Sequence, residues 1–164
     1  VGFLGGAQVD RYGNLNTTVI GDYAKPKVRL PGSGGACEIA GHSQRLLIMM
    51  RMNPRSFVAT VDFVTSPGRK FHSKRKSDQE GKDRATFGLP GGGPRTVITD
   101  LGVCQFNGDE MVLTEIYDGV TVEQVKAACG WDIQIAPKLA SVPPPTAQQL
   151  TLLRDKLDPQ NLYL

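Results

Sequence analysis

The amino-acid sequence predicts an α/β domain with an open mixed sheet flanked by helices. Short extended runs outnumber helical patterns along the chain. One helical pattern follows directly on an extended run and a glycine loop, the order of a strand–loop–helix unit. Two longer β-type runs meet at Asn107-Gly108, a dipeptide suited to a tight hairpin turn.

The elements follow in order. Extended runs fall at residues 1–4, 14–20, 27–30, 46–50 and 57–64. Between the third and fourth lies Pro31-Gly32-Ser33-Gly34-Gly35, then small residues at helical spacing, Ala36, Ile39, Ala40 and Ser43. Residues 69–95 are charged and then glycine-rich, and read as a mobile loop between strands. Residues 96–106 enter the turn at Asn107-Gly108, predicted to be type I′, and residues 111–117 return from it. Thr121-Val122-Glu123-Gln124 is a capping box, with Val120 and Val125 placed as a hydrophobic staple and Gly130 where a C′ glycine belongs. Pro143-Pro144-Pro145 is a stiff connector. Thr146-Ala147-Gln148-Gln149 is a second capping box, opening a helix whose apolar face is Leu150, Leu153 and Leu157 and which Pro159 ends.

The 164 residues suffice for one domain, 1–164, with a real core. No run approaches the roughly 18 apolar residues of a membrane span, so no membrane partner is expected. The three cysteines, Cys37, Cys104 and Cys129, are odd in number and far apart, and the only histidines are His42 and His72. That pattern argues against a disulfide framework and a zinc site, and for a reducing, cytoplasmic setting. The chain begins at Val1 with an extended run and no initiator Met, so a longer polypeptide lacking its N-terminal segment is expected. The positive charge is local: residues 69–84 hold seven Lys/Arg against three Asp/Glu, and the rest of the chain is close to neutral. With Phe71 as its one aromatic, this segment does not predict a nucleic-acid surface. It is either a solvated loop or a contact for an acidic cofactor such as coenzyme A.

The glycine loop is either a tight turn or a cradle in which backbone N–H groups approach a phosphate or a developing oxyanion. It is not a Walker loop, for no Lys-Ser/Thr follows, and its Gly32-x-Gly34-Gly35 spacing is not the dinucleotide fingerprint. Glu38 is a catalytic carboxylate or complements the helix dipole; Cys37 is a nucleophile or a small buried thiol. Thr65-Ser66-Pro67-Gly68, after a strand-like run, forms a turn or lines a cleft, with Ser66, Pro67 and Gly68 as the candidate lining residues.

Several segments together carry a resemblance. They are Leu4-Gly5-Gly6-Ala7-Gln8-Val9-Asp10 with Tyr12-Gly13-Asn14-Leu15-Asn16, Gly34-Gly35-Ala36-Cys37-Glu38-Ile39-Ala40, and Val61-Asp62-Phe63-Val64-Thr65-Ser66-Pro67-Gly68. Val97-Ile98-Thr99-Asp100-Leu101-Gly102-Val103, Asp118-Gly119-Val120-Thr121-Val122 and Ala136-Pro137-Lys138-Leu139 follow. In this order they resemble the β-subunit, or C-terminal half, of class I coenzyme A transferases, the glutaconate branch in particular. The resemblance implies transfer of coenzyme A between carboxylic acids through a glutamyl-CoA thioester, in a complex with an α-subunit and the N-terminal segment of the β-subunit. It implies coenzyme A as substrate, with no tightly bound cofactor and no metal. It places the nucleophilic glutamate upstream of Val1, so no catalytic residue is assigned in this chain. It assigns oxyanion and thioester contacts to Gly34 or Gly35, with Ala36 beside them. Val9-Asp10-Arg11-Tyr12-Gly13-Asn14 also resembles a branch of ring-opening acyl-CoA hydrolases. A non-catalytic CoA-binding or structural subunit is the third reading.

Overall fold

The computed structural model describes residues 1–75 and 77–162, so Lys76 of the basic run lies outside the described residues. The strands are β1 (Gly2–Leu4), β2 (Gln8–Val9), β3 (Leu15–Asn16), β4 (Val19–Gly21), β5 (Pro26–Arg29), β6 (Leu46–Met49), β7 (Pro94–Ile98), β8 (Gly102–Asn107), β9 (Glu110–Ile116) and β10 (Gln134–Ser141). The helices are α1 (Ala36–His42), α2 (Val122–Ala128) and α3 (Ala147–Thr151), the last running into a wider π turn at Leu152–Leu157.

Six strands form one mixed sheet in the order β1-β6-β7-β8-β9-β10. β1, β6 and β7 are parallel, β8 is antiparallel to both its neighbours, and β10 is parallel to β9. The β2–β3 and β4–β5 ribbons, both antiparallel, branch off as separate sheets. The expected α/β mixed sheet is therefore present.

Register explains the core. Ile48 faces Val97, Val97 faces Cys104 and Cys104 faces Leu113 across the sheet, and all are buried. Alternation puts them on one face, where Ala40 of α1 and Val125 of α2 complete the cluster. Phe57 and Trp131 stack at 6.2 Å beneath it. The opposite face starts with Phe3 and Met49, both exposed.

Several expectations are corrected. The run 14–20 is two strands, because Asn16 turns the chain between them: its Oδ1 accepts from the Thr18 and Val19 nitrogens at 3.0 and 3.2 Å. The run 57–64 is not a strand. Phe57 and Val61 make lone bridges to Val9 and Ser73, and the Asp62 N–H goes to the Gln8 side chain at 3.0 Å. The run 96–106 is broken by a turn at Thr99, whose Oγ1 donates to Gly102 O and accepts from Leu101 and Gly102 nitrogens. At the hairpin tip only Gly108 has positive φ, so the expected type I′ turn, which needs it at both central residues, is not formed.

Both capping boxes form, on Thr121 and Thr146. Gly130 is not a left-handed C′ residue; it lets the chain pass against Phe57, whose carbonyl accepts its N–H at 2.8 Å. The face of Leu153 and Leu157 is exposed and not packed. The segment after Arg69 is anchored: Arg84 donates to the carbonyls of Ala40, Gly41, Pro67, Gly68 and Gly91.

Candidate functional site

A cleft of 390 Å³ opens where β1 ends, lined by residues 5–7, Thr17, residues 30–33 and Ala36. Ligands in open α/β sheets sit at the carboxyl ends of parallel strands, as this cleft does. Its far wall is the glycine loop between β5 and α1.

Thr17 holds that wall in place. Its carbonyl accepts the Gly32 N–H at 2.9 Å and its hydroxyl donates to Gly32 O at 2.8 Å. Thr65 stands behind, accepting the Thr17 N–H at 2.9 Å and bonding the Thr18 hydroxyl at 2.7 Å. Sequence reasoning marked Thr65 only as the start of the Thr65-Ser66-Pro67-Gly68 turn and did not mark Thr17; the paired Thr17-Thr18 ahead of a glycine loop was the available signal.

Within the loop, Gly34 takes a φ of 49°, open to glycine at little cost. Gly35 differs. Its φ is −87°, and a Cβ built there meets nothing within 4 Å. Among the described glycines it alone has neither a positive φ nor a close neighbour. Neither backbone angle nor crowding asks for glycine at this position, the N-cap of α1. Among the described residues, the N–H groups of Gly34 and Gly35 find no acceptor, whereas that of Ala36 is bound to Ser33 O at 2.8 Å. The loop thus presents two adjacent exposed donors next to the cleft that Ala36 and Ser33 line.

The other sequence candidates lie elsewhere. Ser66, Pro67 and Gly68 do not line this cleft. They pack against the turn at residues 12–14, where Gly68 N–H donates to Asn14 Oδ1 at 2.8 Å and Ser66 is buried. Glu38 is exposed, and the Cys37 thiol donating to it at 2.7 Å holds its carboxyl below the usual range. Cys37 is half-buried, and all three cysteines are unpaired. Burial pushes the Cys104 and Cys129 thiols up to about 12 and about 11, which leaves both inert as nucleophiles. Among the described residues no cluster of His, Cys, Asp and Glu could hold a metal ion, and no helix is long and apolar enough to cross a membrane.

The coenzyme A transferase family matches residues 1–128. The chain belongs to the coenzyme A transferase family. One subunit of the 3-oxoadipate CoA-transferase of Pseudomonas knackmussii is 47% identical over 156 residues, 94% of this chain and 57% of that protein. The solved structure of glutaconate coenzyme A-transferase from Acidaminococcus fermentans superimposes with a TM-score of 0.80 at 37% identity, covering 96% of this chain and 58% of that one. The IpdB component of the cholesterol ring-cleaving hydrolase of Rhodococcus jostii is more distant, 26% identical over 97% of this chain and 60% of that protein. This coenzyme A transferase chain therefore spans under three fifths of the length of the first two relatives.

Proposed function

We propose that this chain is the C-terminal portion of a β-type subunit that moves coenzyme A between carboxylic acids through a glutamyl-CoA thioester. The glutamate and the acyl pocket come from outside these residues, from the remainder of the β-type polypeptide and an α-subunit. Acyl-CoA and a carboxylic acid are the substrates, in a cytoplasmic setting. Ser66 to Gly68 serve this site from behind, through Thr65 and Thr17.

The chemistry needs an oxyanion site twice. A carboxylate attacks the acyl-CoA thioester, and the thiolate then attacks the anhydride so formed; each step puts negative charge on a former carbonyl oxygen. Paired N–H donors fixed before reaction stabilise that charge without reorganisation, and removing one such donor costs about 10²–10³ in rate. Gly34 and Gly35 are assigned that role, with Ala36 as the cleft wall beside them.

The observation that carries this reading is Gly35, a glycine that neither backbone angle nor crowding requires, with a free N–H beside a cleft. The test is to incubate the intact complex with an acyl-CoA, reduce with borohydride and map the protein. A reduced glutamate is expected. Turnover in water with no acceptor acid and no adduct would overturn the transferase reading in favour of hydrolysis. Neither turnover nor adduct would leave a CoA-binding or structural role.

A further inference from the structure

At the amino ends of β6 and β7 lies a hollow of 290 Å³, lined by Gln44, Arg69, Gly92, Arg95, Gln105 and Phe106. β1 runs parallel to β6, so the glycine cleft beyond the end of β1 is at the opposite end of the sheet. α1 runs between the two: its first turn follows the glycine loop, and its last leads to Gln44.

Local structure fixes the walls of the hollow. The Gly91 and Gly92 nitrogens donate to the carbonyls of Gly41 and Ser43 at 2.9 and 3.1 Å, and a Cβ on Gly92 would collide with the Gln44 carbonyl oxygen. The glycine-rich stretch therefore lies flat against the segment that leaves α1. β7 then carries Arg95 alongside β8, where the next residue, Thr96, pairs with Gln105. Arg69 is half-buried and held at two points. Its Nε donates to Pro94 O at 3.1 Å, and its guanidinium carbon lies 5.1 Å from the Phe106 ring centre. Its two terminal nitrogens keep no acceptor among the described residues.

The charges here are of one sign. No carboxylate lines the hollow, and among the described residues neither Arg69 nor Arg95 has an ion-pair partner. Arg84 stands behind them with its guanidinium committed to backbone carbonyls; burial lowers its pKa, and the charge of Arg69 adds to that. Like charges gathered in one place repel unless an opposite charge joins them. Arginine forks match the paired oxygens of carboxylates and phosphates, and the amides of Gln44 and Gln105 add neutral N–H donors.

We propose that this hollow binds a small, multiply charged oxyanion bearing phosphate or carboxylate groups, with Arg69 and Arg95 as its cationic donors. Its place at the far end of the sheet sets it apart from the glycine cleft, and it stands whether or not the chain transfers coenzyme A. A bound anion ties the segment after α1 to β7 and β8.

The probes are inorganic pyrophosphate and citrate, each titrated by calorimetry into the intact complex in about 0.15 M KCl, where loose surface attraction is screened. The complex is first saturated with coenzyme A, so that the substrate's own phosphate contacts are already occupied. Saturable binding of at least one probe is expected. Arg95 is exposed, so Arg95→Ala is expected to fold as the parent does and to weaken that probe about ten-fold or more. Arg95→Lys, which keeps the charge and loses the fork, is expected to fall between the two. Tighter pyrophosphate identifies a phosphate-bearing ligand, tighter citrate a polycarboxylate. Binding of neither probe, or binding that Arg95→Ala leaves unchanged, overturns the site. Absence of a glutamyl adduct counts against the transferase reading alone and leaves this site in place.

Discussion

Gly68 and Gly35 stand in two turns of similar composition with opposite surroundings. A Cβ at Gly68 would lie 2.6 Å from the Asn14 nitrogen and closer still to the Tyr12 carbonyl oxygen. The turn it meets is built on Asp10, a fully buried carboxylate that accepts from the nitrogens of Tyr12 and Asn14 at 3.0 Å and from Asn14 Nδ2. Asn14 in turn donates to Lys70 O at 2.8 Å, so Asp10 and Asn14 tie the β2–β3 ribbon to the segment at 66–72. These polar groups of the junction point inward. The glycine loop is the reverse: its wall is fixed by Thr17, and the N–H groups of Gly34 and Gly35 point at no described part of the protein. Glycine serves packing in one turn and access in the other, and only the second is chemistry held in reserve.

Substitution separates the two. Gly68→Val is expected to cost about 3 kcal/mol or more of stability, because backbone atoms on both sides cannot yield; urea unfolding measures it. A loss under about 1 kcal/mol would mean that the junction is looser than its hydrogen bonds indicate. Gly35→Val is expected to cost only about 1 kcal/mol, the loss of a glycine N-cap on α1, since no atom opposes the new side chain. In the intact complex it is expected to lower turnover about 100-fold or more by crowding the oxyanion position. An unchanged rate would remove Gly35 from the site. A large loss of stability would make it a packing glycine like Gly68, and the contrast would vanish.

Much of this was legible in the residue order. Alternation and the capping boxes at Thr121 and Thr146 located strands and helices, because those signals are local. The glycine loop was legible as a strand-to-helix turn, and the family resemblance singled out Gly34 and Gly35. What stayed hidden depends on partners distant in sequence. Asn16 ends a strand with its side chain committed to Gln8 Oε1 as well as to Val19 O, and the pairing with Gln8 is visible only once the ribbon has folded. Arg84 looked like one more charge in a basic segment, yet its guanidinium gathers carbonyls from three separate stretches, and burial lowers its pKa. Phe57 and Val61 gave a strand-like alternation because both are buried, although the backbone of this run bonds in part to side chains and not to a neighbouring strand. The Asp10 junction was legible as a motif but not as a junction, since only the folded chain brings Gly68 and His72 to it.

His72 sharpens the same contrast in a gentler way. Its Nδ1 lies 3.3 Å from Asp10 Oδ2 and its Nε2 lies 3.7 Å from Glu80 Oε1 and 3.4 Å from Thr60 Oγ1. The hydrogen bond to Asp10 raises the pKa of His72; burial opposes this, and the charges of Asp10 and Glu80 reinforce it. Asp10 is itself raised by burial, against the hydrogen bonds from His72 and Asn14. A raised histidine binds its proton more tightly folded than unfolded. Its contribution to stability is therefore complete below about pH 6.5, the unfolded value, and is lost as pH rises through the folded value. The Cys104 and Cys129 thiols, pushed up to about 12 and about 11, also lower stability toward the top of this window as they ionise in the unfolded chain, but equally in parent and variant, so the difference between the two reports His72. With the side chain 28% exposed, the change should stay under about 1 kcal/mol. Urea midpoints of the parent and His72→Gln, measured from pH 6 to 9, are expected to converge as pH rises. Parallel curves would show that the proton on His72 does not help to hold the junction, leaving Asp10 and Asn14 to close it by themselves.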